Sequence, residues 1–232
     1  MIQIRPASER GRTHTGWLES RHTFSFDQYY DPRHMGFRSL RVINEDVVAP
    51  GGGFPEHSHR DMEILTYVLS GSLAHKDSTG AGSALIVGDI QRMTAGTGIS
   101  HSEFNPSQTE PVHFLQIWIR PSQKGLPPSY QKTFFPEEDM WERLCLLASP
   151  DGRDKSLTIR QDACFYATAL MPGQRVAHAL STERGAWVQI VRGEVRVNGK
   201  SLAAGDGAAV DGESEIAIEG ITRSEALLFD LA

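Results

Sequence analysis

Two short motifs carry the residue types that bind transition metals. His57 and His59 are separated by one residue, and so are His101 and Glu103. Side chains two residues apart point to the same face of an extended strand. If the two motifs lie on neighbouring strands, three imidazoles and one carboxylate face a common point. This donor set suits a transition metal, so the sequence predicts a metal site.

The ligand types narrow the choice of metal. Imidazole and carboxylate ligands suit iron, nickel, copper, manganese or zinc. A structural zinc site closes with four ligands and commonly includes cysteine, which neither motif contains. An iron-like ion takes more than four ligands and leaves positions for substrate and dioxygen. We therefore expect one divalent transition metal, with iron first among these candidates and copper, nickel, manganese or zinc after it.

The surrounding sequence is typical of an all-β protein. Runs rich in β-branched, aliphatic and aromatic residues cover 40–48, 62–69, 83–87 and 113–119, and turns rich in glycine or proline separate them. Strands of roughly four to eight residues between regular turns are typical of a β-sandwich or barrel. The three glycines at 51–53 permit unusual backbone dihedrals, so this segment is either a flexible loop or a mouth that admits a ligand.

Two short sequences recur in the second half of the chain. Residues 68–73 match residues 190–195, and residues 84–89 match residues 201–206. Matches in the same order and at similar spacing predict one fold used twice. The second half keeps a single histidine, His178, where the first motif would lie, and none where the second would lie. One imidazole is too few ligands for a transition metal, so we expect the metal in the first half alone.

Composition excludes several functional classes. The chain has 232 residues and a net charge of -6, whereas proteins that bind nucleic acid directly usually present a basic face. No apolar run approaches the ~18 residues of a membrane helix, and the N-terminus lacks the apolar core of a signal peptide. Cys145 and Cys164 are expected to be free thiols in a reducing compartment. We expect a cytoplasmic protein that contacts neither nucleic acid nor membrane.

The two motifs resemble those of the cupins. The first cupin motif is similar to the pattern formed by Gly51, His57, His59, Glu63 and Gly71. The second is similar to the pattern formed by Gly88, Gly98, His101 and Asn105, with Gly96 where cupins have a proline.

More closely, four segments resemble the pirin family. They are residues 22–26, 30–32, 63–71 and 94–103. The resemblance covers nearly the whole chain. It is strongest to bacterial pirin-like proteins with quercetin 2,3-dioxygenase activity. The resemblance implies two tandem cupin-type β-barrels, a bicupin. Residues 1–135 are expected to form an N-terminal metal-binding barrel and residues 136–232 a degenerate C-terminal barrel without metal.

Both resemblances bear on the carboxylate ligand. Pirins take it from the second motif, which implies the ligand set His57, His59, His101 and Glu103. Other cupins take it from the first motif, where Glu63 lies. Glu63 has the same parity as the two histidines of that motif, so it remains an alternative unless the turn between them changes the phase.

The pirin resemblance implies a metal-dependent dioxygenase that cleaves a flavonol such as quercetin with dioxygen. Its expected partners are a small planar aromatic substrate and dioxygen, and Glu103 is the residue expected to take the proton of the substrate hydroxyl. The alternative is a metal-bearing regulatory protein of the pirin type, which binds a protein partner without catalysis.

Other residues are assigned by their neighbourhood in the sequence. Three polar side chains could orient a ligand imidazole, namely Thr97, Asn105 and Gln116. Four apolar side chains could line a pocket for a planar substrate or simply pack in the core, namely Met35, Phe37, Phe54 and Phe104. His75 and His113 lie outside the paired motifs and are expected to be structural.

Overall fold

The computed structural model describes residues 1–232, and β-strands make up most of its regular structure. This confirms the predicted all-β class. The helical segments are 3-10 turns at Ala7–Glu9, Glu137–Asp139 and Arg153–Lys155. No helix has the length and apolar character needed to cross a membrane.

The chain divides into two compact units, and their bounds are not a single cut in the sequence. The N-terminal unit contains Gly11–Phe135 together with Leu157–Gln161. The C-terminal unit contains Met1–Arg10, Pro136–Ser156 and Asp162–Ala232. A single division after residue 135 would place Met1–Arg10 in the N-terminal unit and Leu157–Gln161 in the C-terminal unit. In the structure, each of these two segments belongs to the other unit.

The N-terminal unit consists of two sheets that hold the predicted metal motifs. Its strands are β2 (Gly11–His14), β3 (Leu18–His22), β4 (Leu40–Val48), β5 (Gly53–His59), β6 (Glu63–Ser70), β7 (Ser72–Asp77), β8 (Gly82–Ile86), β9 (Asp89–Thr94), β10 (Ile99–Phe104), β11 (Val112–Ile119) and β12 (Ser129–Phe134). The two-residue strand β14 (Leu157–Thr158) lies in the segment grouped with this unit. The larger sheet has the order β12-β9-β6-β11-β4-β3-β2, and the smaller has the order β5-β10-β7-β8.

The C-terminal unit repeats this arrangement. Its strands are β1 (Ile2–Arg5), β13 (Cys145–Ser149), β15 (Ala163–Leu170), β16 (Arg175–Ala179), β17 (Gly185–Arg192), β18 (Glu194–Val197), β19 (Lys200–Ala203), β20 (Gly207–Asp211), β21 (Glu215–Gly220) and β22 (Ser224–Leu231). Its larger sheet contains the order β1-β20-β17-β22-β15-β13, and its smaller sheet has the order β16-β21-β18-β19. In these strand orders, β1 occupies the edge position that β12 occupies in the larger sheet of the first unit.

The predicted repeat is visible in the turns as well as in the sheets. Gly71 joins β6 to β7 with φ +74°, and Gly193 joins β17 to β18 with φ +70°. Gly88 and Gly205 hold the next matched turns with φ +92° and +86°. L-residues other than glycine rarely adopt these dihedrals, so the matched glycines mark equivalent turns in two copies of one fold.

Strand β1 belongs to the C-terminal unit because its apolar side chains are partly buried there. Ile2 and Ile4 pack against the apolar core of that unit. Backbone pairing runs from Ile2 opposite Val210 to Arg5 opposite Gly207. The first residues of the chain therefore complete the second sheet.

The turn that leads into the second metal motif requires a glycine at position 96. Gly96 has φ +48°, and a Cβ atom there would lie 1.9 Å from the carbonyl oxygen of Leu126. We expect Gly96→Ala to destabilise the protein by at least about 1–3 kcal/mol, since the backbone would be strained and the turn would have to move. Urea unfolding of the two proteins measures this loss.

Gly51→Ala is the matched control for this substitution. Gly51 also has a positive φ, +69°, but nothing lies within 4 Å of the added Cβ. Gly51→Ala should lose less stability than Gly96→Ala, because it introduces the backbone strain of a positive φ but no steric clash. Equal losses in the two variants would contradict the role assigned to close packing against Leu126.

Candidate metal centre

The two predicted motifs lie on paired strands. Strands β5 and β10 are antiparallel neighbours, and His101 lies directly opposite His57. The burial of β10 alternates, so that Ile99, His101 and Glu103 face the interior. The register shifts between His101 and Glu103, with an extra residue on β5. Because that bulge is on the partner strand, the two-residue phase of β10 is preserved.

Three imidazoles converge at this place. Ligand-capable nitrogens of His57, His59 and His101 all lie within 4.8 Å of one another. The Nε2 atoms of His59 and His101 are 2.9 Å apart. Metal–nitrogen bonds of ~2.1 Å at right angles would separate two ligand nitrogens by about 3 Å, so this spacing fits two adjacent positions around one ion.

The orientation of His57 also fits a metal ligand. Its Nδ1 lies 2.8 Å from the carbonyl oxygen of Pro55, which can only accept a hydrogen bond. Nδ1 must therefore carry the proton, and the lone pair of a neutral ring is at Nε2. A backbone acceptor that fixes the tautomer of an imidazole is a common feature of metal sites.

The environment keeps two of these rings neutral. Burial, together with the neighbouring imidazoles, lowers the pKa of His59 to about 4, against an opposing effect of Glu103. Burial lowers the pKa of His101 to about 4 as well, again against Glu103 and with His57 and His75 adding to the decrease. Both side chains are thus uncharged near neutral pH, which is the form that binds metal.

Glu103 is buried and held by two side-chain amides. Gln91 Nε2 donates to one carboxylate oxygen at 3.0 Å, and Gln116 Nε2 donates to the other at 2.7 Å. Thr66 links the amides, since its hydroxyl accepts from Gln91 at 2.8 Å and donates to Gln116 Oε1 at 2.9 Å. An ionised carboxylate only accepts hydrogen bonds, so the network fixes both amide orientations.

The charge on Glu103 is stabilised despite its burial. Burial would raise the pKa of this carboxyl, but His75, His101 and His57 lower it overall. Glu103 shares a cluster of potential ligand atoms with His75 and His101, rather than with all three histidines of the first cluster. The structure therefore supplies an ionised carboxylate beside the imidazoles and inside the same unit.

Glu63, the alternative carboxylate, faces a different neighbourhood. It is fully buried at the start of β6, where one oxygen accepts from Thr94 Oγ1 at 3.1 Å and from the backbone N–H of Arg160 at 3.3 Å. Burial raises its pKa against an opposing effect of Arg92. The residues between β5 and β6, with Asp61 at φ +49°, change the phase, so Glu63 is in neither ligand cluster.

His75 is a residue of the site that sequence reasoning assigned to a structural role. It lies on β7 directly opposite Glu103 in the sheet, and it forms a cluster with His101 and Glu103. Its ring stacks on Tyr130 at 5.0 Å. Burial lowers the pKa of His75, but Glu103 and Asp77 raise it overall. His75 and Asp77 show the same two-residue spacing as the ligand motifs, and this signal was available in the sequence.

A cavity of about 360 Å³ opens onto the cluster from within the same unit. His57, His59 and Glu103 form part of its wall. Apolar side chains form another part, namely Leu18, Phe26, Phe54, Pro55 and Trp118. Its volume is within the ~300–1,000 Å³ typical of small-molecule sites. The remaining wall is polar, with Thr13, Ser20, His22, Asn44 and Asp46 among its residues.

The other predicted residues divide between the site and the scaffold. Of the polar candidates, Gln116 is the one that contacts Glu103. The side chain of Asn105 donates to the backbone carbonyls of Val48 and Glu110. The backbone N–H of Thr97 donates to the carbonyl of Leu126. Of the apolar candidates, Phe54 lines the cavity, and Met35, Phe37 and Phe104 are not among its lining residues.

His113 lies 3.0 Å from Glu45 on the neighbouring strand. The last of the three glycines, Gly53, allows the close approach of β5 to the Glu103 carbonyl, which a Cβ would meet at 2.4 Å.

His178 of the second unit is held in an ion-pair network. Its Nε2 lies 2.8 Å from Asp230 Oδ2, and Arg184 Nε donates to the other oxygen at 2.5 Å. Burial would raise the pKa of Asp230, but the hydrogen bonds from His178 and Arg184 lower it overall. A carboxyl whose pKa is lower in the folded state stabilises the fold above its unfolded pKa, and that contribution is lost as the pH falls through the folded value.

Asp230→Asn should therefore lower the melting temperature at pH 7, and the difference from the unchanged protein should shrink as the pH falls below about 4. Thermal unfolding followed by circular dichroism at pH 7, 5 and 3 measures the difference. Arg175→Gln is a control, because the Arg175–Glu215 pair is exposed and should contribute little at any pH. A difference for Asp230→Asn that stays constant with pH would contradict this assignment.

Known proteins share both the fold and the sequence of this chain. The Pirin family model matches residues 3–119, and the model described as the quercetinase C-terminal cupin domain matches residues 146–231. The chain belongs to the pirin family. The tandem cupin-type fold predicted from the sequence is thereby confirmed.

Individual pirin relatives are similar over their full length. Quercetin 2,3-dioxygenase of Escherichia coli is 48% identical over 231 residues, covering 100% of this chain and 99% of that protein. A pirin-like protein of Caulobacter vibrioides is 40% identical over 233 residues, covering 100% of both chains. The resemblance to quercetin 2,3-dioxygenases that the sequence predicted is confirmed.

A solved pirin structure bears on the metal. The bacterial pirin YhhW from Escherichia coli, crystallised in complex with nickel(II), matches this chain with a TM-score of 0.95 and 48% identity, covering 100% of this chain and 99% of that one. A pirin of the same fold thus binds a divalent transition metal. The imidazole cluster of this chain offers a donor set of the same chemical class.

Proposed function

We propose that this pirin is a metal-dependent dioxygenase that cleaves a flavonol such as quercetin with dioxygen. The observation that carries the proposal is the cavity of about 360 Å³ whose wall contains His57 and His59 of the histidine cluster together with Glu103. A substrate in this cavity lies directly against the candidate metal ligands. The relatives named quercetin 2,3-dioxygenase support the choice of reaction and substrate.

The proposed ligands are His57, His59, His101 and Glu103, with iron as the expected native ion and nickel, copper, manganese or zinc as alternatives. A bound divalent ion would act as a Lewis acid that makes a coordinated hydroxyl more acidic. The three imidazoles offer neutral nitrogen ligands, and the carboxylate adds one negative charge. The absence of cysteine from this set fits a site that remains open to substrate.

The cavity wall fits a planar aromatic molecule with polar edges. Phe26, Phe54 and Trp118 supply apolar and aromatic surface on which such a molecule can lie. The ring of Trp118 also contacts His59 edge-on at 4.9 Å, which holds the imidazole in place. His22 and Asn44, which hydrogen-bond each other at 2.8 Å, provide a fixed polar surface for the hydroxyl groups of a flavonol.

Glu103 is the proposed acceptor of the substrate hydroxyl proton. It lines the cavity, and the amides of Gln91 and Gln116 fix its two oxygens. Each carboxylate oxygen keeps a second lone pair after accepting one hydrogen bond, so it can still meet the hydroxyl. The deprotonated ring then reacts with dioxygen, the ring opens, and carbon monoxide is released. The proton held by Glu103 returns to the ring-opened product.

The test is turnover by protein reconstituted separately with iron, copper, nickel or manganese. Oxygen consumption and loss of flavonol absorbance should proceed together with quercetin, and carbon monoxide should be formed. Metal-free protein is the control and should show neither. No turnover with any of these metals, despite stoichiometric metal binding, would contradict the proposal and favour the regulatory alternative.

A further inference from the structure

Asp77 and His75 form a buried pair behind the proposed ligand His101. Both side chains are fully excluded from solvent, and His75 Nε2 lies 3.1 Å from Asp77 Oδ2. The other oxygen of Asp77 already accepts three hydrogen bonds, from the backbone N–H and hydroxyl of Thr79 and from the backbone N–H of Ala81. The loop therefore holds Asp77 in one orientation, with Oδ2 directed at His75.

This orientation decides which nitrogen of His75 carries a proton. An ionised carboxylate accepts hydrogen bonds and cannot donate, so Nε2 of His75 must carry the proton that lies between them. The ring of His75 is neutral above its pKa, which burial lowers but Glu103 and Asp77 raise overall, and in that neutral form Nδ1 is an acceptor. Nδ1 of His75 lies 3.4 Å from Nδ1 of His101, whereas Glu103 Oε1 lies farther away at 3.7 Å.

The same argument continues to His101. Where Nδ1 of His75 accepts, Nδ1 of His101 donates, and the lone pair of the His101 ring is at Nε2. That atom is the one that lies 2.9 Å from Nε2 of His59 in the histidine cluster. Stacking on Tyr130, whose hydroxyl bonds to Ser83 at 2.5 Å, fixes the plane of the His75 ring.

We propose that Asp77 and His75 are positioning residues, which hold His101 in the tautomer and ring orientation that present Nε2 to a metal ion. This rests on the metal centre put forward under the proposed function, and it adds two residues that do not themselves contact the ion. Outer partners of a ligand histidine fix its tautomer and typically change metal affinity by roughly 10- to 100-fold.

Asp77→Asn tests the proposal with an isosteric change. The backbone donors at Thr79 and Ala81 should keep the amide oxygen of Asn on their side. Its NH₂ group then faces His75 Nε2 and donates to it, which moves the His75 proton to Nδ1. Two N–H groups would then meet between His75 and His101, and His101 would lose the tautomer that presents Nε2.

The first readout is the tautomer of each ring in metal-free protein labelled with ¹⁵N-histidine. Long-range ¹H–¹⁵N spectra, recorded at a pH above the pKa of His75, should show His75 protonated at Nε2 and His101 at Nδ1, and both assignments should change in Asp77→Asn. The second readout is equilibrium binding of nickel(II), which should weaken by roughly 10- to 100-fold in that variant. Unchanged tautomers and unchanged affinity would overturn the proposal.

His75→Phe separates this role from a general loss of structure, because phenylalanine can keep the stacking on Tyr130. It should weaken nickel binding to a similar extent, and adding Asp77→Asn to it should cause no further loss, since the two residues act through one chain of hydrogen bonds. Additive losses in the double variant would overturn the proposal. If Asp77→Asn folds poorly, His75→Phe alone still tests it, and an unchanged nickel affinity in that variant would overturn the proposal. If the unchanged protein did not bind nickel, the metal centre itself would be refuted. Neither the tautomer readout nor the binding readout requires turnover.

Discussion

Replacing His101 with alanine is expected to abolish stoichiometric metal binding and, with it, turnover. His101 belongs to both clusters of potential ligand atoms, so its loss leaves neither cluster with three members. The expected decrease in metal affinity exceeds the roughly 100-fold that marks the loss of an outer partner. Isothermal titration of metal-free protein with nickel(II) and with iron(II) under anaerobic conditions measures it.

His113→Ala is the matched control for this experiment. His113 is a partly buried histidine of the same unit, but it lies beside Glu45 and outside both clusters. It should bind metal as the unchanged protein does. If His101→Ala retained full metal content, or if His113→Ala lost the same fraction, the histidine cluster would not be the metal centre.

Glu103→Gln is expected to lower turnover by about 100- to 10,000-fold, the range for loss of a general base, while metal content falls far less. The new NH₂ group must face one of the two amides that donate to Glu103, so the hydrogen-bond network loses at least one partner. This should cost about 1–3 kcal/mol of stability. Metal content, turnover with quercetin and urea unfolding measure the three effects separately.

Glu63→Gln distinguishes the two carboxylates that the sequence left open. Glu63 accepts hydrogen bonds from Thr94 and from the backbone of Arg160, away from the clusters. Its substitution should leave metal content and turnover close to those of the unchanged protein. Full activity of metal-loaded Glu103→Gln would show that Glu103 has no role as the base, and loss of metal from Glu63→Gln alone would make Glu63 the ligand.

The sequence predicts the site best where local geometry decides it. The spacing of His57, His59, His101 and Glu103 places each pair on one face of a strand by the two-residue period alone. The pairing of β5 with β10 joins segments that lie far apart in the sequence, so strand periodicity does not predict it. The sequence predicts this pairing only through the need of a metal ion to have all of its ligands close together. Glu63 shows the limit of parity, because the turn between β5 and β6 changes the phase before the next strand begins.

Residues that act through partners were harder to predict. Gln91 and Gln116 carry no distinctive spacing, and their role depends on Thr66 and Glu103, which lie on two other strands, β6 and β10. His75 carried a usable signal, because Asp77 follows it at the same spacing as the ligand pairs. A buried histidine beside a carboxylate is also common in scaffolds, so that signal alone did not separate the two roles.

The repeat was predictable because glycines mark its turns, whereas the place of β1 was not. A four-residue strand carries little sequence information about its partner. Ile2 pairs with Val210, and that pairing depends on apolar burial at the far end of the chain. The unit bounds therefore depend on contacts between segments that lie far apart in the sequence.

The most direct test of the metal centre is the ratio of metal to protein chain in protein purified from its own host, measured by inductively coupled plasma mass spectrometry beside the His101→Ala variant. The structure predicts one divalent transition metal per chain in the unchanged protein and close to none in the variant. A metal-free native protein, or the same ratio in both proteins, would contradict it.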